Sequence, residues 1–402
     1  MQTVFSSTSS RFLLMKTNSF GAIADVSEIL AGENSRRVLM VIDEEAYRAC
    51  GAADVIEPAL HGHSVSRFSE FELNPRIADV DRGIELAKQQ RPELVIAIGG
   101  GTALDLGKLI SRLAVQPASS INIIQGTASL ERPGSLERAG IPLVAIPTTA
   151  GTGSEATHFA VVYVDGEKHS VADPLMLPDY AIIDPRLTYS LPAGITAATG
   201  LDAFCQGIES MWSVRANDES IGYASEAIRL ASQNIVAAVN TPTPSVRDAM
   251  CRASHLAGKA INITTTTSSH ALSYSITSDY GIPHGIAVAL TLAPMLRFNA
   301  NVTADDCMDP RGASHVRNRI SAIVDLLGAT SVENASERFS QIVRSIGCPA
   351  TLSEASITTD AQIKKIVASV NTQRMANNPR RATEDLLLHQ LSTSLNQGVS
   401  IG

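Results

Sequence analysis

Residues Leu94-Val-Ile-Ala-Ile-Gly-Gly-Gly-Thr102 run from a short apolar segment directly into three glycines. Apolar segments of this length, bounded by turn residues, are typical of parallel strands that are buried on both faces. A helical pattern follows from Ala103 to Leu113, so we predict a strand, a tight turn and a helix. Backbone amides at such a helix start favour an anion, and the glycines therefore predict a phosphate-binding turn. A plain strand-to-helix turn is the alternative.

Three further apolar runs of the same kind occur along the first half of the chain. They are Arg36–Asp43, Leu143–Ile146 and Ala181–Asp184, and helical patterns such as Ala78–Gln90 lie between the runs. An alternation of buried strands and helices predicts an α/β layer structure with a mostly parallel sheet.

An acidic residue, Asp43, stands at the end of the first of these strands. An acid in this position bonds a ribose hydroxyl in many dinucleotide-binding sites. Its negative charge would repel a 2′-phosphate. Asp43 therefore favours NAD(H) as the cofactor, although it does not exclude NADP(H).

Helical patterns dominate the chain from Ala197 onward, and Leu191-Pro-Ala-Gly194 is predicted to be the linker. We therefore predict an α/β domain over residues 1–192 and an all-helical domain over residues 193–402. Ser245 and Thr383 are candidate N-caps. The predicted helices are Ser220–Val239, Val246–Ile263, Gly285–Leu296, His315–Leu327, Ala361–Ser369 and Thr383–Leu395.

Composition excludes several classes of protein. The 402 residues are 44% hydrophobic and have a net charge of −8, which argues against a general nucleic-acid-binding protein. The five cysteines are widely spaced with no Cys-x-x-Cys pair, as expected in a reducing compartment. No apolar run reaches the roughly 18–20 residues that span a bilayer. A cytoplasmic protein without a membrane segment is the prediction.

Four residues of the second half suggest a metal site. Asp202 and Gln206 are four positions apart and share one face of a helix. His270 and His284 are separated by Gly281 and a proline, which should interrupt any helix between them. A carboxylate and two imidazoles suit a divalent metal that keeps an open position for substrate. On spacing alone, unrelated residues remain the alternative.

A second glycine- and hydroxyl-rich loop, Pro147-Thr-Thr-Ala-Gly-Thr-Gly-Ser-Glu155, follows the third strand and could supply hydroxyls and amides to a cofactor. The order and spacing of the motifs in this chain resemble the iron-containing (group III) alcohol dehydrogenase family, within the dehydroquinate synthase-like superfamily. The motifs are Gly99–Thr102 with Asp105 and Lys108, Pro147–Glu155, Gly200-Leu-Asp-Ala203 and Pro283-His-Gly285.

The resemblance implies a dinucleotide-binding α/β domain, an all-helical domain, and a cleft between them that holds metal and substrate. It also implies a homodimer. The implied NAD(P)-binding residues are Asp43, Gly99, Gly100, Gly101, Thr102, Thr148, Thr152 and Lys168. The implied ligands of Fe²⁺ or Zn²⁺ are Asp202, His270 and His284, with Gln206 where the family has a fourth histidine.

Two residues depart from the family pattern. Gln206 offers a neutral amide oxygen, a poorer ligand than imidazole for these metals. The site could therefore hold metal with Gln206 or water as fourth ligand, hold it loosely, or work without metal while Gln206 donates a hydrogen bond to substrate. Tyr274 stands where many members carry another histidine, and it either relays a proton to the product alkoxide or only packs.

Longer stretches, such as Leu256-Ala-Gly-Lys-Ala-Ile-Asn-Ile-Thr264, resemble the phosphonoacetaldehyde reductase branch of the family. That branch reduces 2-phosphonoacetaldehyde to 2-hydroxyethylphosphonate. A small anionic substrate in a buried cleft needs cations. Lys259 and Arg374 are the candidates, and Lys259 is also a candidate catalytic residue. The alternatives are a general short-chain alcohol dehydrogenase, a dehydroquinate synthase-like lyase, and a metal-free nucleotide-binding protein.

Overall fold

The computed structural model describes residues 17–20, 23–127, 136–370 and 372–397. Strands and helices alternate up to Ile183. The strands are β1 Thr17–Phe20, β2 Arg37–Ile42, β3 Ser64–Phe68, β4 Leu94–Gly99, β5 Leu143–Pro147, β6 Phe159–Val164, β7 Glu167–Ala172 and β8 Tyr180–Ile183. The helices of this part are α1 Val26–Gly32, α2 Glu44–Ala49, α3 Ala52–Ala59, α4 Ile77–Gln90, α5 Gly101–Leu113 and α6 Ser120–Ile124.

Six strands form one parallel sheet in the order β1-β8-β5-β4-β2-β3, and β6 and β7 form a separate antiparallel hairpin. The four predicted strands are β2, β4, β5 and β8. Every residue of β4 and β5 is buried, which explains their continuous apolar sequences. The sequence analysis missed β1 and the edge strand β3, whose alternating serines resemble a loop as much as a strand.

The chain reverses direction across the sheet between β2 and β4. These two strands are neighbours, but the chain passes from β2 outward to β3 before it returns to β4. Ligands of open α/β sheets bind beyond the carboxyl ends of the strands at such a switch point. Asp43 follows β2 and Gly100 follows β4, so both lie at this crevice.

The remainder of the described chain is helical. The helices are α7 Ala193–Trp212, α8 Asp218–Asn240, α9 Pro244–Thr264, α10 Ser268–Tyr280, α11 His284–Ala300, α12 Ala313–Leu326, α13 Val332–Ser345, α14 Asp360–Ala368, α15 Thr372–Met375 and α16 Glu384–Gln397. All six predicted helices are present, within a few residues at each end. The predicted cap Ser245 is wrong, because α9 begins at Pro244 after the N-cap Thr243. Thr383 does accept a hydrogen bond from the amide of Leu386, at 3.4 Å.

Helix α7 lies at the centre of the helical part and packs against α8, α9 and α11. Leu201, Phe204, Cys205 and Ile208 are all completely buried in this core. Each large apolar side chain buried in this way contributes about 1.5–3 kcal/mol to folding. The core therefore fixes α7, which also holds Asp202 and Gln206.

The loop between β5 and β6 joins the sheet to the helical part. Gly153 and Gly258 are in such close contact that a Cβ on Gly153 would lie 2.4 Å from the Cα of Gly258. Beside them, Glu155 bonds Nδ1 of the buried His255 at 2.9 Å. The loop is therefore held directly on α9. Among the described residues, no helix is both long and apolar enough to cross a membrane.

Candidate active site

The structure brings three of the predicted metal ligands together. Asp202 lies on α7, His270 on α10, and His284 is the first residue of α11. One ligand atom from each of the three lies within 4.8 Å of the others. The chain turns at Gly281, which ends α10 with a φ of +67°, so the two histidines come from separate helices as predicted.

The donor chemistry of this triad fits a divalent metal. Asp202 and His270 are about 5% exposed, whereas His284 is only partly buried. One side of the triad is therefore accessible to a small molecule. One carboxylate and two imidazoles are ligands that Fe²⁺ and Zn²⁺ both accept.

The protonation of the two histidines is set by opposing causes. Burial lowers the pKa of His270, but the carboxylates of Glu209 and Asp202 outweigh burial and raise it to about 9. Burial and the positive charge of Lys168 lower the pKa of His284 to about 3. His284 is therefore neutral with a free lone pair, and His270 is held between two acids.

Glu209 is a residue of the site that the sequence analysis missed. Its side chain is completely buried, and its Oε1 accepts hydrogen bonds from Thr267 Oγ1 and the Ser269 amide, each at 2.8 Å. Its Oε2 bonds Nδ1 of His270, whose Nε2 lies 3.2 Å from Asp202 Oδ1. A carboxylate in this position fixes the tautomer of a metal-binding histidine. The spacing of 202, 206 and 209 on one helical face was the available signal.

Gln206 lies beside the triad and has an unused acceptor. Its Nε2 lies 3.4 Å from the carbonyl oxygen of Thr152, and its side chain also bonds Asp202. Its Oε1 is buried and has no hydrogen-bond partner among the described residues. An unpaired buried oxygen is costly unless a ligand satisfies it. This oxygen fits either a metal or a bound substrate.

The aromatic ring of Tyr274 lies next to His284, and two cations lie around that ring. The Tyr274 ring lies 6.4 Å from the His284 ring, and Lys168 Nζ lies 4.1 Å from the centre of the tyrosine ring. Arg374 bonds the side chain of Tyr274 and lies over the ring of Phe159. Although burial raises it, the charges of Lys168 and Arg374 bring the pKa of Tyr274 below its ordinary value.

Lys259 is not part of this cluster, which corrects the expectation from sequence. Its ammonium lies 4.1 Å from the centre of the Tyr223 ring on α8. A cation over an aromatic face is a favourable resting place that needs no substrate. The structure thus places Lys168 and Arg374, and not Lys259, beside the triad.

The predicted phosphate-binding turn is shaped by its glycines. A Cβ on Gly99 would lie 2.7 Å from Cβ of Ala103, and one on Gly101 would lie 2.8 Å from Cγ2 of Thr152. The backbone at Gly99 also has a φ of +154°. The turn is therefore bare backbone at the start of the thirteen-residue helix α5, as phosphate binding requires.

Three polar residues adjoin this turn. The hydroxyl of Thr148 is buried and has no partner among the described residues, which leaves it available to a cofactor. Thr102 Oγ1 accepts a hydrogen bond from the amide of Asn74 at 3.2 Å, a neighbour that the sequence analysis missed. The available sequence signal was the turn-forming pair Asn74-Pro75, and in the structure Asn74 has a φ of +66°.

Asp43 lies beside the turn but already has a structural role. It is the N-cap of α2, and its Oδ1 accepts the amide of Ala46 at 3.0 Å. Its other carboxylate oxygen has no such bond to the part of the chain that the structure describes. A Cβ on Gly99 would lie 3.5 Å from that of Asp43, so the acid and the glycines line the same crevice.

Two family models match nearly the whole chain. The model for iron-containing alcohol dehydrogenase matches residues 17–185, and the model for the C-terminal part of the Fe-containing alcohol dehydrogenase family matches residues 196–395. The matched regions correspond to the α/β part and the helical part of the structure.

Individual relatives agree with this result. The chain is 34% identical to phosphonoacetaldehyde reductase of Streptomyces viridochromogenes, over 87% of this chain and 91% of the relative. The sulfoacetaldehyde reductase of Bifidobacterium kashiwanohense, solved in complex with NAD⁺, superposes with a TM-score of 0.83. It is 30% identical and covers 95% of this chain and 97% of its own. A 1,3-propanediol oxidoreductase, 27% identical, superposes with a TM-score of 0.81 and covers 95% of this chain and 99% of its own.

These matches confirm the fold predicted from sequence. They also confirm the predicted chemistry, a nicotinamide-linked oxidation or reduction at an alcohol carbon with a divalent metal as second cofactor. By both domain models and by its full-length relatives, the chain belongs to the iron-containing alcohol dehydrogenase family.

Proposed function

We propose that this enzyme reduces 2-phosphonoacetaldehyde to 2-hydroxyethylphosphonate with NADH as the hydride donor. Two relatives favour a substrate of this kind. One is named for phosphonoacetaldehyde and the other for sulfoacetaldehyde, and both aldehydes have an anionic group on the carbon next to the carbonyl. The alternative within the family is an alcohol dehydrogenase for uncharged short-chain substrates.

The observation that favours an anionic substrate is the pair of cations around Tyr274, next to His284. The charges of Lys168 and Arg374 both act on Tyr274, and the Tyr274 ring stacks near His284. An uncharged aldehyde would gain little from two half-buried cations. A phosphonate or sulfonate would form charge-assisted hydrogen bonds with a guanidinium, which are stronger than neutral ones.

The residues of the cleft have distinct parts in the proposed reaction. Asp202, His270 and His284 would hold a divalent metal, which would supply Lewis-acid polarisation of a carbonyl oxygen. Arg374 holds the phosphonate and so orients the aldehyde carbon. Lys168 holds either the phosphonate or, as the resemblance implies, the cofactor. The phenol of Tyr274 gives its proton to the alkoxide oxygen, and water returns the proton to Tyr274.

The cofactor lies along the bare turn after β4 in this proposal. The amides at the start of α5 would hold the pyrophosphate, and Oδ2 of Asp43 would bond the adenosine ribose. The hydroxyl of Thr148 supplies a further hydrogen bond. The reaction consumes one aldehyde, one NADH and one proton, and it releases one alcohol and one NAD⁺.

The test compares NADH oxidation with phosphonoacetaldehyde, sulfoacetaldehyde and propanal, using protein loaded with Fe²⁺ or Zn²⁺. We expect a higher kcat/KM for the phosphonate than for propanal. Replacing Arg374 with alanine should remove about 1.5–3 kcal/mol of this preference, about ten- to a hundredfold, mainly through KM. Arg381 is exposed and gives a matched control. Arg381→Ala should leave kcat/KM unchanged for both the phosphonate and propanal.

Three other results would change the proposed substrate or the assignment of the anion site. Equal kcat/KM values for the phosphonate and propanal would leave a general alcohol dehydrogenase. A preference for sulfoacetaldehyde would keep the anion site and change the substrate. If Lys259→Ala loses the preference for phosphonoacetaldehyde over propanal and Arg374→Ala keeps it, Lys259 is the cation of the anion site.

A further inference from the structure

Arg374 lies on a helix that is too short to hold itself in place. Helix α15 has four residues, Thr372–Met375, and a single turn is unstable in water. The backbone amides of Asn377 and Asn378 bond the carbonyl oxygens of Arg374 and Met375, at 3.1 and 3.0 Å. The position of the guanidinium therefore depends on the segment that follows, Asn377–Arg380, which we name the strap.

The first asparagine of the strap is bonded to the segment that leads to His270. Asn377 is 5% exposed, and its Nδ2 donates to Thr265 Oγ1 at 2.6 Å and to the Thr266 carbonyl at 3.3 Å. Its own carbonyl accepts the amide of Val214, just beyond α7, at 3.1 Å. One residue thus joins α15 to the ends of α7 and α9.

Thr265 has an unusual backbone for a β-branched residue. Its φ is +55°, a conformation that such residues rarely adopt. A strained residue persists only where its surroundings hold it. The hydrogen bond from Asn377 is one of the contacts that hold Thr265, so the geometry of the two residues is linked.

The rest of the strap is anchored to α11. Asn378 and Asn299 are both completely buried and exchange two amide hydrogen bonds, at 2.8 and 3.1 Å. Arg380 bonds Asp306 at 2.7 Å and the carbonyl oxygen of Phe298 at 2.8 Å. The strap is therefore fixed at several points, and α15 extends from it toward Tyr274.

We infer that Asn377 and Asn378 are positioning residues that fix the Arg374 guanidinium in the cleft and so determine the preference for anionic aldehydes. This inference rests on the proposed function. Neither asparagine needs to touch the substrate. A displacement of about 1 Å at a positioning group can cost about a hundredfold in rate, so loosening the strap should be measurable.

The experiment uses two uncharged variants that break the same hydrogen bond from opposite sides, Asn377→Ala and Thr265→Val. We expect each to lower kcat/KM for phosphonoacetaldehyde by about ten- to a hundredfold, through KM, and to leave kcat and KM for propanal within about twofold. Bound metal per protein should not change. The double variant should be no worse than the worse single variant, because both remove one interaction.

The matched control is Asn240→Ala, which removes a hydrogen bond of 2.8 Å between α8 and the Ser345 carbonyl, outside the strap. This variant should leave kcat/KM unchanged for both phosphonoacetaldehyde and propanal. If wild type prefers the phosphonate and Arg374→Ala abolishes the preference, but Asn377→Ala and Thr265→Val both keep it, the inference is wrong and the proposed function stands. An equal loss with both aldehydes would mean a general structural defect and would also overturn the inference.

A wild-type enzyme with no preference for the anionic aldehyde would overturn the proposed function and the inference together. If Asn377→Ala fails to fold, Thr265→Val and Asn378→Ala still decide the question, and thermal unfolding of each variant identifies such a failure.

Discussion

The carboxylate of Glu209 bonds Nδ1 of His270 while Asp202 faces Nε2 of the same ring. Both acids come from α7, seven residues apart, so one rigid helix contacts both sides of one imidazole. The Nδ1–H bond keeps a proton on that nitrogen, so a metal that displaces the Nε2 proton would bind the Nε2 lone pair.

Replacing Glu209 with glutamine should weaken metal binding. The amide is nearly isosteric but uncharged, so it no longer favours the Nδ1–H tautomer, and loss of such a partner typically costs about 10- to 100-fold in metal affinity. Competition with a chelator, at fixed pH with Zn²⁺, measures this affinity without any turnover. The control Glu226→Gln changes an exposed acid that pairs with Arg229 and should leave metal affinity unchanged. Unchanged affinity in Glu209→Gln would rule out this role.

Replacing Gln206 with histidine should strengthen metal binding. Imidazole is a better ligand than an amide oxygen for these metals, so Gln206→His should raise Zn²⁺ affinity by about tenfold or more, roughly 1.4 kcal/mol. The same chelator competition tests it. No gain would mean that the Gln206 side chain faces the substrate and not the metal, and its unpaired Oε1 would then be an acceptor for substrate.

The parts predicted from sequence are those that depend on local pattern. The strands β4 and β5 are buried along their whole length, so their sequences are continuously apolar. The metal triad was assigned because its residues lie in short motifs that resemble a family pattern, whereas their spacing alone left unrelated residues as the alternative. These features need no knowledge of which helices meet in space.

The missed features depend on packing between distant segments. Glu209 is 61 positions from His270, and its spacing from Asp202 indicates a shared helical face but not which histidine it contacts. Arg374 and Lys168 were both named from sequence, but their meeting at Tyr274, from a one-turn helix and a hairpin, was not predicted. Lys259 was misplaced because an apolar helical pattern does not reveal which neighbour a lysine faces, and here the neighbour is Tyr223.

Asp43 combines a helix cap with the predicted ribose contact, and the two roles can be separated. Asp43→Ser keeps an N-cap oxygen, so the free energy of unfolding should change by less than about 0.5 kcal/mol. It removes the negative charge, so the ratio of kcat/KM for NADPH to that for NADH should rise by about tenfold or more. Asp43→Ala should shift the same ratio and also cost about 1 kcal/mol of stability. A ratio unchanged in both variants would exclude Asp43 from cofactor selection.

The free energy of unfolding should depend on pH through His158, which joins the start of the β6–β7 hairpin to α9. Its Nδ1 lies 2.6 Å from Asn262 Oδ1, and Asp173 raises its pKa while Lys108 and Arg374 lower it. Burial is the largest effect, and the net pKa lies below the usual 6.5. As pH falls through 6.5 the unfolded chain gains a proton that the folded protein does not, so the free energy of unfolding decreases.

Urea unfolding at several pH values between 7.5 and 5.5, within about two units around the usual pKa, tests this linkage. In His158→Gln the amide can still donate to Asn262 but does not titrate. Wild type should therefore lose more stability on acidification than the variant, by about 1.4 kcal/mol for each unit of pKa shift. If the free energy of unfolding falls equally with pH in wild type and in His158→Gln, His158 does not contribute to the pH dependence.

The contact between Gly153 and Gly258 should reverse the usual effect of a glycine-to-alanine change in a helix. Such a change normally stabilises by about 0.5–1 kcal/mol, because glycine loses more chain entropy on folding. Gly222 on α8 has no atom within 4 Å of its ideal Cβ position, so Gly222→Ala should follow this rule. A Cβ on Gly258 would lie 2.6 Å from the carbonyl oxygen of Gly153, so Gly258→Ala should destabilise by about 1–3 kcal/mol. Urea unfolding measures the change in the free energy of unfolding for each variant. Changes of opposite sign would support a rigid contact between the loop and α9.

If both variants are more stable than wild type, the loop moves aside in Gly258→Ala. In that case kcat/KM should fall, because Thr152 and Gln206 would separate.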